Sequence, residues 1–495
     1  MAGTLSIKLA LARGVGAVSR RRGGGGTSAP GKLLIRLSPG AIGELASRLP
    51  RGSVLISATN GKTTTATMAA GILERAGVPL VHNRAGANMA GGIATTLLDA
   101  ALPGGAIAVE LGLFEVDELW LDSLAAELHP RGILLCNLFR DQLDRYGELD
   151  TIAERWRGAM SAHRDATLVL NADDPLVADL GREHPAVVYF GVEDHSLALP
   201  GLAHAADAKH CRRCGAPYVF DAVYLGHLGH YHCPSCGRTR PAPTLTASNV
   251  RLEGVRAAHF TLHAPAGELE VSLALPGLYN VYNALAAAAL ASTLEVPLET
   301  IAAGLEDTRA AFGRAESVLV SIPDTAAPGA PGAGERTSAS GTPAAPSRRE
   351  LRILLVKNPA GANEVLRTLA LEPGEHDLLG VLNDEIADGR DVSWIWDADF
   401  ELLAGRVRVA TCSGTRAADL AARLKYAGID PGRIRVHEDL AQALDAAAAA
   451  SSPQGERPDG APVPAAPLFA LPTYTAMLAL RELLVARGEA SSAWS

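Results

Sequence analysis

The residues best equipped for chemistry form the run Thr59-Asn60-Gly61-Lys62-Thr63-Thr64-Thr65, which follows a β-branched apolar stretch and leads into an Ala-rich helical pattern. This is the composition of a phosphate cradle. Gly61 lets backbone amides approach an anion, Lys62 supplies a point charge for the β- and γ-phosphates, and Thr63 offers a hydroxyl to Mg²⁺. The helix N-terminus behind them favours negative charge. The strict pattern has glycine five positions before Gly61, where this chain has Ile56; the strand–loop–helix context carries the reading instead. A second chemical set is Cys211-x-x-Cys214 and Cys233-x-x-Cys236, with 18 residues between the pairs. That spacing suits a tetrahedral four-thiolate Zn²⁺ site, and four thiolates leave no position for a reacting water, so the zinc is expected to be structural. Cys136 reads as a buried strand residue and Cys412 as a strand-end residue.

The elements that must position these groups alternate. Strand patterns near 53–57, 106–111, 132–138, 166–174 and 187–191 are separated by helical ones, which implies a mostly parallel sheet with its ligand at the carboxyl ends of the strands. A second strand–helix block starts near Leu351. Between the blocks, residues 323–349 are dense in Pro, Gly, Ala and Ser and read as a disordered linker, as does the shorter 451–464. The expected organisation is a flexible segment with one short helix at 1–50, an ATP-binding domain at 51–320 with a zinc insertion at about 205–240, and an α/β domain at 350–495.

Composition narrows the class. The chain has 495 residues, 48% hydrophobic and 20% charged, with net charge −9 and pI near 5.9. An acidic balance argues against a nucleic-acid partner, since duplex binding depends on basic residues neutralising phosphates. Only six of its 45 basic residues are Lys. No apolar run is long enough to span a bilayer. Arg20-Arg21-Arg22 is followed by glycines where an export signal needs an apolar segment, so the chain reads as cytoplasmic.

Further signals join the phosphate cradle: Glu110 at the end of a strand pattern, the run 137–144 with Asp141 and Gln142, Asn171-Ala172-Asp173-Asp174-Pro175, the run 277–290 with Asn280 and Asn283, the run 312–316 with Arg314, and Lys357-Asn358-Pro359. In that order they resemble the Mur ligase family of ATP-dependent acid–amino acid ligases. The resemblance implies an α/β fold: a P-loop Mur-ligase-like central domain with a parallel sheet and an inserted zinc ribbon, plus a C-terminal Rossmann-like α/β domain. The zinc insertion and the run 382–401 are similar to one branch, the ligase-like subunits that pair with a GatD-like glutamine amidotransferase as a heterodimer. The short stretch before the P-loop fits an acceptor, lipid II at the inner membrane face, that has already lost its uridine portion. By resemblance, ATP phosphorylates the D-glutamate α-carboxylate of the stem peptide, and ammonia from the partner then gives isoglutamine. The implied ATP-binding residues are Asn60, Gly61, Lys62, Thr63, Thr64, Asn280, Asn283 and Arg314, with Thr63 and Glu110 on Mg²⁺ and Lys62 and Glu110 catalytic. Asp391, chosen over Asp384 and Asp388, is implied to orient the partner's catalytic His. Asp141 and Lys357 are weaker candidates for substrate and γ-phosphate contacts. A Mur- or folylpolyglutamate-type amino acid ligase is the alternative, and a non-catalytic nucleotide-responsive binding module a third reading.

Overall fold

The computed structural model describes residues 2–21, 28–83, 87–103, 105–141, 149–202, 206–309, 314–323, 348–450 and 465–491. They form two compact units, residues 1–309 and 310–495.

The first unit opens with helices α1 (Ala2–Arg21), α2 (Ala29–Leu37) and α3 (Ala41–Ala46). The expectation of a flexible tail is thereby corrected: Leu9, Ala12 and Leu34 are fully buried in the main core. There follow β1 (Ser53–Ser57), α4 (Lys62–Arg75), β2 (Leu80–His82), α5 (Ala90–Ala100), β3 (Leu111–Glu115), α6 (Leu121–Leu128), β4 (Gly132–Leu135), α7 (Leu149–Ala162), β5 (Thr167–Asn171), α8 (Pro175–Leu180) and β6 (Val187–Val192). Next come the hairpin β7 (Val219–Leu225) and β8 (Leu228–His232), the meander β9 (Leu245–Glu253), β10 (Ala257–Ala264) and β11 (Gly267–Leu273), and helices α9 (Leu278–Thr293) and α10 (Leu298–Glu306). The sheet order is β11-β10-β9-β6-β5-β4-β1-β3-β2, parallel from β9 through β2 and antiparallel in the meander. Strands β1, β3 and β4 are buried at every residue, as a parallel sheet covered on both faces requires.

The second unit contains β12 (Arg314–Ser321), β13 (Arg348–Leu354), α11 (Pro359–Ala370), β14 (His376–Val381), β15 (Val407–Ser413), α12 (Ala417–Tyr426), β16 (Ile434–Val436), α13 (Leu440–Ala449), β17 (Leu468–Pro472) and α14 (Tyr474–Ala486). Its order is β12-β13-β17-β14-β15-β16, with only β12 antiparallel. Two sequence expectations are displaced here. The boundary falls before β12 rather than near 320, because β12 pairs with β13. Arg349, read as the end of the linker, is 1% exposed; it donates to the Ala447 and Ala466 carbonyls and pairs with Asp377. Residues 324–347 and 451–464 lie outside the described residues.

Candidate active site and metal centre

β1 ends in the sheet core, and the chain turns at Gly61, whose φ of 83° is left-handed. A side chain there would be strained in backbone conformation and would also collide, since a Cβ would stand 2.1 Å from Asn283 Oδ1. The loop after β4 is laced to this turn. Asn60 N–H donates to Asn137 Oδ1 and Asn137 Nδ2 donates back to the Asn60 carbonyl, both at 2.9 Å, while Phe139 N–H donates to Thr59 Oγ1 at 3.0 Å. From α9, Asn283 Oδ1 accepts from Thr65 Oγ1 at 3.2 Å and its amide donates to Asn280 Oδ1 at 3.1 Å; Asn280 in turn donates to the Pro276 carbonyl at 2.7 Å. Asn280 and Asn283 are thus brought to the P-loop, buried, as braces of the first turn of α4. Thr63 is half-buried and Thr64 buried in that turn.

Lys62 is buried, with its Nζ donating to the Ala58 carbonyl and lying 2.7 Å from Glu118 Oε2. Burial works against its charge, but Glu118, helped by Glu115 and Asp117, outweighs it and raises the Lys62 pKa. All three acids are 3% exposed. Asn83 pins Glu115 through a pair of 2.8 Å bonds to its backbone. Three buried carboxylates facing one ammonium leave excess negative charge at the carboxyl ends of β1 and β3, a donor set suited to a hard divalent cation that keeps several waters.

Glu110 does not belong to this cluster. The strand begins after it, at Leu111, and Glu110 is exposed at the opposite, amino-terminal end, where its carbonyl accepts from Arg51 N–H. The acid at the strand's carboxyl end is Glu115, paired in register with Ile56. Phe114-Glu115-Val116-Asp117-Glu118 carried the signal, an apolar run ending in acids.

The four cysteines converge. Cys211 Sγ lies 3.6 Å from Cys236 Sγ and Cys214 Sγ 3.4 Å from Cys233 Sγ, with all four within 4.8 Å. Zn–S bonds of about 2.3 Å in a tetrahedron demand sulfur separations of about 3.8 Å, so the set fits zinc. Two knuckles hold it: Gly215 N–H donates to the Cys211 carbonyl and Gly237 N–H to the Cys233 carbonyl. Burial pushes the Cys211 thiol up, but the amides of Arg213 and Cys214 bring it down to about 6. Cys136 and Cys412 are buried, and burial pushes each thiol up to about 12, far from a nucleophile's range.

Sequence reasoning passed over His227. It sits at the tip of the β7–β8 hairpin, fully buried, 3.4 Å from Asp174, with its ring centroid 4.7 Å from that of Phe139 at a tilt of 51°. His227 Nε2 faces the Asp174 carboxylate without an aligned hydrogen bond. Burial opposes the imidazolium, but the Asp174 carboxylate outweighs it and raises the pKa. Asp174 also caps α8 and accepts Leu138 N–H at 2.8 Å. The neighbouring Asp173 accepts from Tyr282 at 2.7 Å and Arg240 at 2.6 Å.

In the second unit, Asp388 is buried and accepts Thr475 N–H at 2.8 Å, and Asp384 pairs with Arg416 at 3.3 Å. Asp391 is exposed and accepts from Ser393 N–H at 2.9 Å; the Ser393 side chain and this backbone bond lower its pKa. Ile386, Trp396 and Tyr426 are 71%, 52% and 73% exposed, with the Trp396 and Tyr426 rings 5.7 Å apart. Arg314 opens β12 in this unit, and its side chain lies outside the described residues, as does Gln142. Asp141 is half-buried beyond β4, and Lys357 half-buried just after β13.

A P-loop at the carboxyl end of a parallel sheet, followed along the chain by a second parallel-sheet unit, defines a Mur-type ligase, and residues 56–215 match the model of the Mur ligase middle domain. A solved pseudomurein peptide ligase type C from Methanothermus fervidus shares the fold, with TM-score 0.60 and 21% identity over 90% of this chain and 80% of that one. Residues 355–477 match the model of the MurT ligase C-terminal region. The chain is 32% identical to a Staphylococcus aureus (strain N315) protein named lipid II isoglutaminyl synthase (glutamine-hydrolyzing) subunit MurT, over 83% of this chain and 85% of the relative. It is 31% identical to the protein of that name from Streptococcus pneumoniae (strain R6), over 94% and 93%. The chain belongs to the MurT family, and as a Mur-type protein it is an ATP-dependent ligase of peptidoglycan synthesis.

Proposed function

We propose that this chain is the synthase subunit that amidates the D-glutamate α-carboxylate of lipid II to isoglutamine, using ATP and ammonia delivered by a GatD-like glutaminase at the inner face of the membrane. The observation that carries the reading is the buried Lys62, held by Glu118 with Glu115 and Asp117 beside it, behind a P-loop in a chain similar to MurT subunits along most of its length. A carboxylate oxygen is a poor leaving group, and transfer of a phosphoryl group from ATP makes it a good one. Lys62 is kept cationic for the phosphates, Gly61 and the α4 N-terminus present amides to them, and Asn283 holds that turn in place. Thr63, Glu115 and Glu118 would hold Mg²⁺, which offsets charge on the transferred group. The knuckle cysteines would hold Zn²⁺ as a structural clamp.

Asp391 is the one of the three candidate acids left exposed, free of the ion pair that occupies Asp384 and the buried bonds that occupy Asp388. This supports a role toward a partner's His, with the triad shared between chains. Ile386, Trp396 and Tyr426 supply exposed apolar anchors on the same unit, the residue types that dominate interface energetics.

The test uses the chain co-purified with its glutaminase, lipid II, ATP and either glutamine or ammonium. Lipid II should acquire the mass change of OH becoming NH₂ with both nitrogen sources. Asp391→Asn should abolish the glutamine-driven reaction and spare the ammonium-driven one. Equal loss in both would remove Asp391 from the glutaminase step, and an unchanged lipid II would leave amino acid ligation as the surviving reading.

A further inference from the structure

We propose that α1 is an in-plane anchor that docks the enzyme on an anionic lipid surface. Two faces of α1 behave differently. Leu9 and Ala12 are buried in the main core, and the Arg13 guanidinium donates to the Leu98 carbonyl at 2.9 Å and to the Ala101 carbonyl, closing the end of α5. The helix is therefore fastened to a body, and α2 beneath it is fastened too: Gly31 N–H donates to Thr95 Oγ1 at 2.9 Å, in a contact so close that a Cβ on Gly31 would stand 1.9 Å from the Gly91 carbonyl. On the other face Ile7, Leu11 and Val15 are 63%, 56% and 39% exposed. Their i, i+4, i+8 spacing aligns them in one stripe about 12 Å long.

Charge identifies what meets that stripe. The first 43 residues hold seven basic side chains and no acidic one, in a chain whose net charge is −9. Lys8 lies beside the stripe, Arg20 and Arg21 close the helix, and Lys32 and Arg36 are exposed on α2. A protein partner suited to a segment with bases and no acids would itself be acidic. A lipid surface offers both the apolar layer for three aliphatic side chains and the negative headgroups for the bases, as amphipathic surface helices exploit. No described helix is long and apolar enough to cross a membrane, so the contact is lateral. The inference deepens the functional reading, since it rests on the acceptor being lipid-linked; it places the enzyme where such an acceptor resides.

The experiment is co-sedimentation of the full complex with vesicles of phosphatidylcholine, with or without about 30% phosphatidylglycerol, at about 0.1 and 0.5 M salt. Binding is expected to the anionic vesicles only, to weaken several-fold at the higher salt, and to fall at least about tenfold in Ile7→Glu/Leu11→Glu. Both positions are exposed, so the variant should keep the thermal midpoint of the parent. Absence of sedimentation, or equal sedimentation of the variant, overturns the proposal, and loss of glutaminase binding in the variant with vesicle binding intact reassigns the stripe to a protein contact and also overturns it. A soluble muropeptide acceptor separates the two readings. If parent and variant amidate it equally while neither sediments, the anchor falls and the chemistry stands; if vesicles are bound but neither acceptor is amidated, the anchor stands and the chemistry falls.

Discussion

The Lys62–Glu118 pair invites a double-mutant test. Both side chains are almost wholly buried and their charged atoms are 2.7 Å apart, so removing either partner strands a charge. Stranding a buried charge costs about 3–5 kcal/mol, whereas replacing both members with apolar groups of similar size is often neutral or stabilising. Lys62→Met and Glu118→Leu should each lower the thermal midpoint by about 6–20 °C, at roughly 2–4 °C per kcal/mol for a large domain. The double variant should recover most of that loss, giving a coupling of several kcal/mol. Because the folded pKa of Lys62 is raised above its ordinary value of 10.5, its contribution is fully present below that pH and is lost only as pH rises through the folded value; the Lys62→Met penalty should therefore be flat from about pH 6 to 9. Adding magnesium nucleotide at 100 times its Kd should stabilise the parent by about 2.7 kcal/mol, and the double variant, though well folded, should gain nothing and turn over no ATP. Differential scanning fluorimetry and a phosphate-release assay read both arms. Additive single effects would refute the buried pair, and nucleotide stabilisation of the double variant equal to the parent's would refute the role of Lys62.

Three further outcomes follow from the geometry. His227 has a raised pKa, so its stabilising contact with Asp174 is complete below about pH 6.5 and fades as pH rises through the folded value; the stability difference between parent and His227→Gln, about 1–3 kcal/mol at pH 6, should shrink as pH is raised, and a growing difference would count against the pair. Thiol modification should release about one zinc per chain, and Cys214→Ser should lower both zinc content and thermal midpoint; a metal-free native protein by elemental analysis would sink that assignment. Trp396→Ala and Tyr426→Ala should leave stability within about 0.5 kcal/mol of the parent and weaken glutaminase binding about tenfold or more, with unchanged calorimetric affinity as the contrary result.

What could be read from the sequence was local chemistry. Gly61, Lys62 and the threonines lie within one turn, and the four cysteines lie in two tight pairs, so each set could be read without knowledge of the rest. Glu110 failed because a strand buried on both faces shows no alternation: the patterned run before Leu111 looked like the strand, while the true one, Leu111–Glu115, carries no period. Of the N-terminal helices only α3 matched a helical pattern in the sequence, and α1 and α2 were missed for a related reason. Their glycines and arginines read as flexible until α5 appears beneath them, and packing against a distant element leaves no mark in a local window. Arg349 was swallowed by the Pro- and Ser-rich composition before it, although its own environment is the inside of the second sheet.

The position of the zinc ribbon has a mechanical consequence that neither the cysteines nor the P-loop conveys alone. The knuckles fix one end of the β7–β8 hairpin, and its other end reaches the loop laced to the P-loop: a Cβ on Gly226 would stand 2.9 Å from the Phe139 ring, His227 packs against that ring at a tilt, and Gly229 N–H donates to the Asp173 carbonyl at 2.9 Å. Phe139 N–H is in turn bonded to Thr59 of the P-loop. Cysteine knuckles, hairpin tip, loop 137–139 and phosphate cradle therefore follow one another without a break. If that chain transmits support, Gly226→Val, which presses on Phe139 without touching a cysteine, should raise the Kd for magnesium nucleotide while leaving zinc content at its native value. Loss of zinc in that variant would mean that the hairpin had come apart as a whole, and unchanged nucleotide affinity would mean that the ribbon and the cradle are mechanically independent.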